Sequence, residues 1–140
     1  MLLLSYFRRN SRRNLTQISK ETGIPVSTIF DRLRKFESDV ICKHTSLLNF
    51  RALGYDIVVK MLVTVDKASR EKFQAFISRS MNINSAYRTN EGFIIETIFR
   101  NIKDMYEFNE RLSELIIRKE EYFVIEQLKR EDFLSDPMFL

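Results

Sequence analysis

Residues 14–37 carry two short stretches of helical apolar spacing with one glycine and one proline between them, a pattern that a tightly joined helix pair satisfies. In Asn14-Leu15-Thr16-Gln17 an asparagine stands three residues ahead of a glutamine. This is a capping-box-like start, in which each side chain satisfies a free backbone N–H. The helix so begun runs through Ile18 to Thr22 and stops at Gly23, the residue type that tolerates the left-handed conformation beyond a helix end. Ile24-Pro25-Val26 leads into another helix, either capped by Ser27 or opened by Pro25 in its first turn. That helix carries Ile29, Leu33 and Phe36 on one stripe. The opposite face carries Ser27, Thr28, Asp31, Arg32 and Lys35, with Arg34 at the edge. Upstream, Leu2, Leu3, Tyr6 and Phe7 fall at helical spacing before Arg8 and Arg9, and Asn10-Ser11 breaks that helix. Three helices with a tight Gly-containing turn make a helix-turn-helix unit.

In such units the last helix enters the DNA major groove. Arg32 suits the role, since a guanidinium forks onto guanine O6 and N7, and Ser27 and Thr28 are small hydrogen-bonders that allow close approach. Arg8, Arg9, Arg12 and Arg13 surround the first inter-helix loop and suit phosphates, which set affinity and salt dependence. Phe30, Asp31, Arg34, Lys35 and Lys43 complete the expected DNA-facing set. Charge agrees: residues 1–55 hold ten Lys or Arg against four Asp or Glu, whereas residues 56–140 hold thirteen against fifteen. The basic part can meet a polyanion, and the acidic part is expected to fold, self-associate or bind something else. A domain of about 55 residues is marginally stable alone, which points to help from a second subunit.

Several classes drop out. One Cys forms no internal disulfide, and one Cys with one His leaves too few soft ligands for structural zinc. The single His also argues against His-centred catalysis, so no catalytic residue, metal or cofactor is expected. No apolar run approaches the roughly 20 residues that span a bilayer. Met1-Leu2-Leu3-Leu4 precedes its positive charges, the reverse of an export signal, so a cytoplasmic protein is expected.

Downstream, Ile57, Val59, Met61, Val63 and Val65 alternate with Val58, Lys60, Leu62 and Thr64, a strand of period two. Ser69 is placed to cap a helix bearing Phe73, Phe76, Ile77 and Met81. Strands are expected at 83–88 and 93–99, joined as a hairpin by Thr89-Asn90-Glu91-Gly92. Asn101 caps a helix with Ile102, Met105, Tyr106, Leu112 and Ile116 inward, and Tyr122 to Leu128 reads as a final strand. The order β-α-β-β-α-β is the ferredoxin-like arrangement. The fold class is therefore α+β: a three-helix, winged helix-turn-helix domain, then a ferredoxin-like sandwich. One sheet face stays uncovered by helices yet carries apolar side chains, so a second copy of the chain is expected to cover it.

These residues also carry a resemblance. The run Leu15-Thr16-Gln17-Ile18-Ser19-Lys20-Glu21-Thr22-Gly23-Ile24-Pro25-Val26-Ser27-Thr28-Ile29-Phe30-Asp31-Arg32-Leu33-Arg34-Lys35-Phe36-Glu37 is similar to the pattern E-L-A-K-x-x-G-L-S-x-S-T-V-x-x-R-I-x-x-L-E of the Lrp/AsnC family of prokaryotic transcription regulators. Val40-Ile41 and Asn49-Phe50-Arg51-Ala52-Leu53-Gly54-Tyr55 look like that family's linker strand and its D-P-x-x-L-G-Y segment. The resemblance implies a DNA-binding domain at 1–40, a linker strand at 41–54 and a dimerisation and effector domain (the RAM domain) at 55–140. It implies a homodimer, or a tetramer or octamer built from it, on a palindromic operator in double-stranded DNA, with an amino acid or other small effector. The effector turn, roughly T-G-x-Y-D, corresponds here to Arg88, Thr89, Asn90, Glu91 and Gly92, with the Gly displaced and the Asp absent. The opening helix is shortened, and Asp39 replaces the Gly before the linker strand. Phe30 occupies a position usually polar. It touches thymine methyls or folds back onto the core, and core contact is the expectation.

Two other functions fit the same fold. Some relatives of this fold family are sirohaem decarboxylases, which need His or Arg around a large pocket. His44 is the only His, and an exposed linker position near phosphate is its expected place. An architectural protein that compacts chromosomes shares every residue argument with the regulator, and footprinting separates the two.

Overall fold

The computed structural model describes residues 1–136; residues 137–140 of the expected C-terminal domain lie outside the described residues. The chain divides into two compact units: Leu48–Gln127, and Met1–Leu47 together with the described part of Leu128–Leu140. Residues 128–136 thus group with the helical unit, although the sequence reading placed them in the second domain.

The helical unit contains α1 (Leu2–Arg9), α2 (Leu15–Thr22) and α3 (Val26–Asp39). Asn14 caps α2, its Oδ1 accepting from Thr16 N at 2.8 Å; Gln17 takes no part in that bond. Gly23 ends the helix in the left-handed region with φ +74°, as its position after Thr22 requires. Pro25 itself holds the N-cap position of α3, and Ser27 lies inside the helix with no capping bond. Leu3, Phe7, Ile18 and Ile29 form the core, with Tyr6, Leu15, Ile24, Leu33 and Phe36 packed around it. Residues 41–49 form neither helix nor strand, and no strand precedes residue 57 among the described residues, so the expected linker strand and wing are absent there. An extended segment registers as a strand only when a neighbour accepts its ladder bonds.

The second unit holds β1 (Ile57–Thr64), α4 (Arg70–Arg79), β2 (Ile83–Arg88), β3 (Phe93–Phe99), α5 (Ile102–Ser113) and β4 (Arg118–Phe123). The strands form one antiparallel sheet in the order β2-β3-β1-β4. This is the ferredoxin-like topology. Its core lies between the sheet and the helices: Val59, Met61 and Val63 from β1 and Phe93, Ile95 and Phe99 from β3 meet Phe73 of α4 and Met105, Phe108 and Leu112 of α5. Phe99 and Phe108 pack edge to face at 5.2 Å between ring centroids. Thr97, the buried hydroxyl among them, donates to Val59 O at 2.8 Å and so is not left unpaired. Gly92, at φ +144°, lets the hairpin lie against β1, since a Cβ there would stand 2.3 Å from Val63 O.

Four expectations need correction. The last strand is Arg118–Phe123, not 122–128. β1 begins at Ile57, its ladder with β4 reaches Val59 opposite Phe123, and one further bond joins Val124 N to Val58 O; in this register Ile57 stands opposite Ile125, and β1 offers nothing to Glu126, Gln127 or Leu128. Ile125 and Leu128 are 88% and 86% exposed. The inward stripe of α5 is Met105, Phe108 and Leu112, while Ile102 and Tyr106 face outward; steps of three and four fit one side of a helix better than the expected set. Met81 lies past the end of α4 and is 99% exposed. Ser69 makes no capping bond; its own N–H instead donates to Asp66 Oδ1 at 2.7 Å. Asn101 caps α5 as expected, accepting from Asp104 N at 2.9 Å.

Candidate nucleic-acid interface

The core stripe of α3 decides which of its side chains look outward. Ile29 is fully buried, and Leu33 and Phe36 pack beside it. At about 100° per residue, Ser27, Asp31, Arg34 and Lys35 then lie on the far side, and all four are exposed. Thr28 and Arg32 turn toward one flank. There they border an apolar groove of about 320 Å³ with Met1, Leu2, Leu3, Ile24 and Phe36. Arg32 is therefore a flank residue and Arg34 an outer one, the reverse of the sequence assignment. Phe30 does not fold back onto the core: it is 48% exposed, and the Arg34 guanidinium carbon stands 5.8 Å from its ring centroid. The physical reason is phase, because Ile29 already fills the inward position and its neighbour on the helix cannot share it.

The arginines around the first loop divide by partner. Arg8 donates from Nη2 to Glu131 at 2.9 Å and from Nε to Phe133 O at 3.0 Å. Arg9 donates from Nε to Ser135 O at 2.8 Å. Arg13 pairs with Glu21 and lies over the Tyr6 ring at 4.7 Å. Arg12 is exposed, with its backbone N–H bonded to Asn10 Oδ1. The 128–136 segment is itself tied, since Asp132 accepts from Lys129 at 2.9 Å and from the Ser135 hydroxyl. The Ser135 hydroxyl first and then Lys129 hold the Asp132 carboxyl below its usual range. No sequence pattern announces this strap; the one available clue is the Lys-Arg-Glu-Asp run at 129–132, which reads equally as solvated charge.

Past α3, Lys43 is exposed and His44 Nε2 sits 3.0 Å from Glu37 Oε1. Among the described residues no group of three or more His, Cys, Asp or Glu is placed to hold a metal, and no helix is long and apolar enough to cross a membrane.

In the sheet unit, the expected effector turn satisfies itself. Thr89 N donates to Gly92 O at 2.7 Å, and Glu91 N donates to the Thr89 hydroxyl at 3.2 Å. A cavity of about 370 Å³ lies beside it, lined by Gln74, Ile77, Ser78, Ala86, Tyr87, Arg88 and Phe93. Of the five turn residues only Arg88 reaches that cavity. Gln74 and Ser78 were missed because their pattern on α4 matches ordinary solvent-facing polarity, and Tyr87, although it borders the cavity from the edge strand β2, pairs with Ile94 on the opposite sheet face. The sheet face away from the helices carries Leu62, Ile94, Tyr87 and Tyr122, with Lys60 and Glu96 paired across it at 3.7 Å. The Tyr122 hydroxyl donates to Glu120 at 2.6 Å, and that carboxylate raises the phenol above its ordinary value.

No family model matches the chain. An uncharacterized HTH-type transcriptional regulator of Pyrococcus horikoshii is 26% identical over 139 residues, which cover 96% of this chain and 94% of the relative. Among solved structures, a transcriptional regulator of Neisseria meningitidis in complex with L-methionine superposes with a TM-score of 0.84 at 18% identity, covering 91% of this chain and 88% of that one. LrpC of B. subtilis superposes with a TM-score of 0.83 at 17% identity, covering 91% and 92%. The shared fold is a helix-turn-helix unit followed by a ferredoxin-like unit.

Proposed function

We propose, from the chain's kinship with transcriptional regulators of the Lrp/AsnC type, that it is a sequence-specific DNA-binding regulator acting as a dimer or larger assembly. The observation that carries the reading is the outer face of α3, where Ser27, Arg34 and Lys35 stand exposed, in a unit whose Arg12 is exposed as well. Small hydrogen-bonders and cations on the second helix of such a pair are what major-groove docking needs. The apolar sheet face of the second unit supplies the dimer contact, because burying Leu62, Ile94 and the two tyrosines against a second copy removes apolar surface from water. Two α3 helices related by a two-fold axis address a palindrome with half-sites about one helical turn apart, or a multiple.

Selection of bound fragments from a random duplex pool tests this. The expected outcome is a palindromic preference with one discrete footprint per site. Uniform coverage supports the compacting role instead, and no binding at low salt sinks both. Arg12→Ala is expected to weaken all sequences alike and to flatten the salt slope by about one. For an effector, Arg88 offers the cavity a cation for a carboxylate, as a small amino acid would need, and the lining holds no acid for the ammonium. An enzyme reading has less support, as His44 lines neither cavity.

A further inference from the structure

The one phenylalanine on α3 that does not pack with the core lies against the one arginine placed where a groove-docked helix would read. We propose that Phe30 and Arg34 act as a single reading element for a thymine stacked next to a guanine, Phe30 against the thymine C5-methyl and Arg34 forked onto guanine O6 and N7. This rests on the DNA-binding reading above.

Three observations carry it. Phe30 is 48% exposed while Ile29, Leu33 and Phe36 of the same helix fill the core side, so its ring has apolar area still to cover. A base methyl is the apolar group that the major groove offers. The Arg34 guanidinium carbon lies 5.8 Å from the ring centroid, one helical turn further on. A cation over an aromatic face at this distance is drawn toward the ring, and the contact uses none of the guanidinium N–H groups, which stay open for a bidentate acceptor. That edge belongs to guanine, and the 5.8 Å spacing spans one base step of about 3.4 Å with a lateral offset. Thirdly, Arg32 and Arg34 are two residues apart, so they point about 200° apart around the helix. Both cannot reach the same base edge. Arg32 borders the groove with Met1, Leu2 and Leu3, which leaves Arg34 for the bases.

The contact between ring and cation also does something for affinity that neither residue does alone. A long arginine side chain loses rotamer freedom when it docks, and a side chain already held against a ring loses less.

The test uses the full chain and the best duplex from the random-pool selection. The selected half-site is expected to contain adjacent thymine and guanine. Replacing that thymine by deoxyuridine, which removes only the methyl, is expected to weaken the unaltered protein about fourfold, the worth of one buried methyl. Phe30→Ala is expected to bind both duplexes equally. Arg34→Ala is expected to lose about 5- to 150-fold discrimination of guanine from adenine at the neighbouring position, and Arg32→Ala to keep it. Equal binding of thymine and deoxyuridine by the unaltered protein overturns the inference, as does loss of guanine preference in Arg32→Ala with Arg34→Ala unaffected. If Phe30→Ala leaves DNA affinity unchanged and alters the sedimentation of the protein instead, Phe30 is a contact between copies and not a reader. If no duplex is selected at all, the regulator reading itself has failed, an outcome distinct from a selected site that lacks the methyl effect.

Discussion

The two units of the chain keep their shape by different means. In the sheet unit, ten side chains of the described residues are buried together, aromatic rings interlock, and the lone buried hydroxyl is bonded. In the helical unit, among the described residues, only Leu3, Phe7, Ile18 and Ile29 form such a core, and polar ties supplement them: Arg13 to Glu21, Arg8 to Glu131, Arg9 to Ser135. Small units bury a smaller share of their surface and lean on additional ties. The lesson concerns charge. Of the four arginines around the first loop, three are engaged inside their own unit, and Arg12 is the one without such a side-chain tie among the described residues. A count of basic residues in a sequence therefore overstates the charge available to a polyanion.

The comparison is open to breaking. Phe108→Ala should have the largest effect, costing the sheet unit about 3–5 kcal/mol, read as a fall in its denaturant midpoint. Ile29→Ala should cost the helical unit about 2–5 kcal/mol. Because that unit has less core in reserve, DNA binding and α3 amide protection should vanish while the sheet amides stay protected. A single transition in which both units melt together would show that they do not stand separately. Gly92→Ala should cost about 1–3 kcal/mol, since the new Cβ meets the Val63 carbonyl in a backbone conformation that L residues avoid. It should lower the sheet midpoint and leave the helical unit untouched. The smallest effect concerns the strap. The Asp132 carboxyl is depressed in the folded chain, so its contribution is present above the ordinary value of 3.8 and is lost as pH falls through the lowered one. Ser135→Ala removes the larger cause and should move the Asp132 titration midpoint upward in NMR; an unmoved midpoint would mean that the hydroxyl bond does not hold in solution.

What the sequence made legible was local. Asn14, Gly23 and Asn101 act as punctuation within a few residues, and each forms the cap or stop expected of it. The alternation of 57–65 and the Gly92 turn likewise specify a hairpin sheet without distant information. What stayed hidden was set at a distance or by phase. The β-prone run Tyr122 to Ile125 reads as a strand, but where β1 begins decides how far its neighbour can pair. Arg32 and Arg34 are equally basic in the sequence, and only the fixed position of Ile29 sends one to the flank and the other outward. The ties of Arg8 and Arg9 were not legible at all, because their partners lie more than a hundred residues away.

That distance has a bearing on how the molecule comes into being. Arg8 and Glu131 are 123 positions apart, so a ribosome has finished nearly all of the sheet unit before α1 can receive its last hydrogen bonds. At about 5–20 residues per second, the nascent helical unit spends seconds without them. A helix made ahead of the whole sheet unit is thus among the last to be completed, and during that interval its two arginines remain open to any anion nearby.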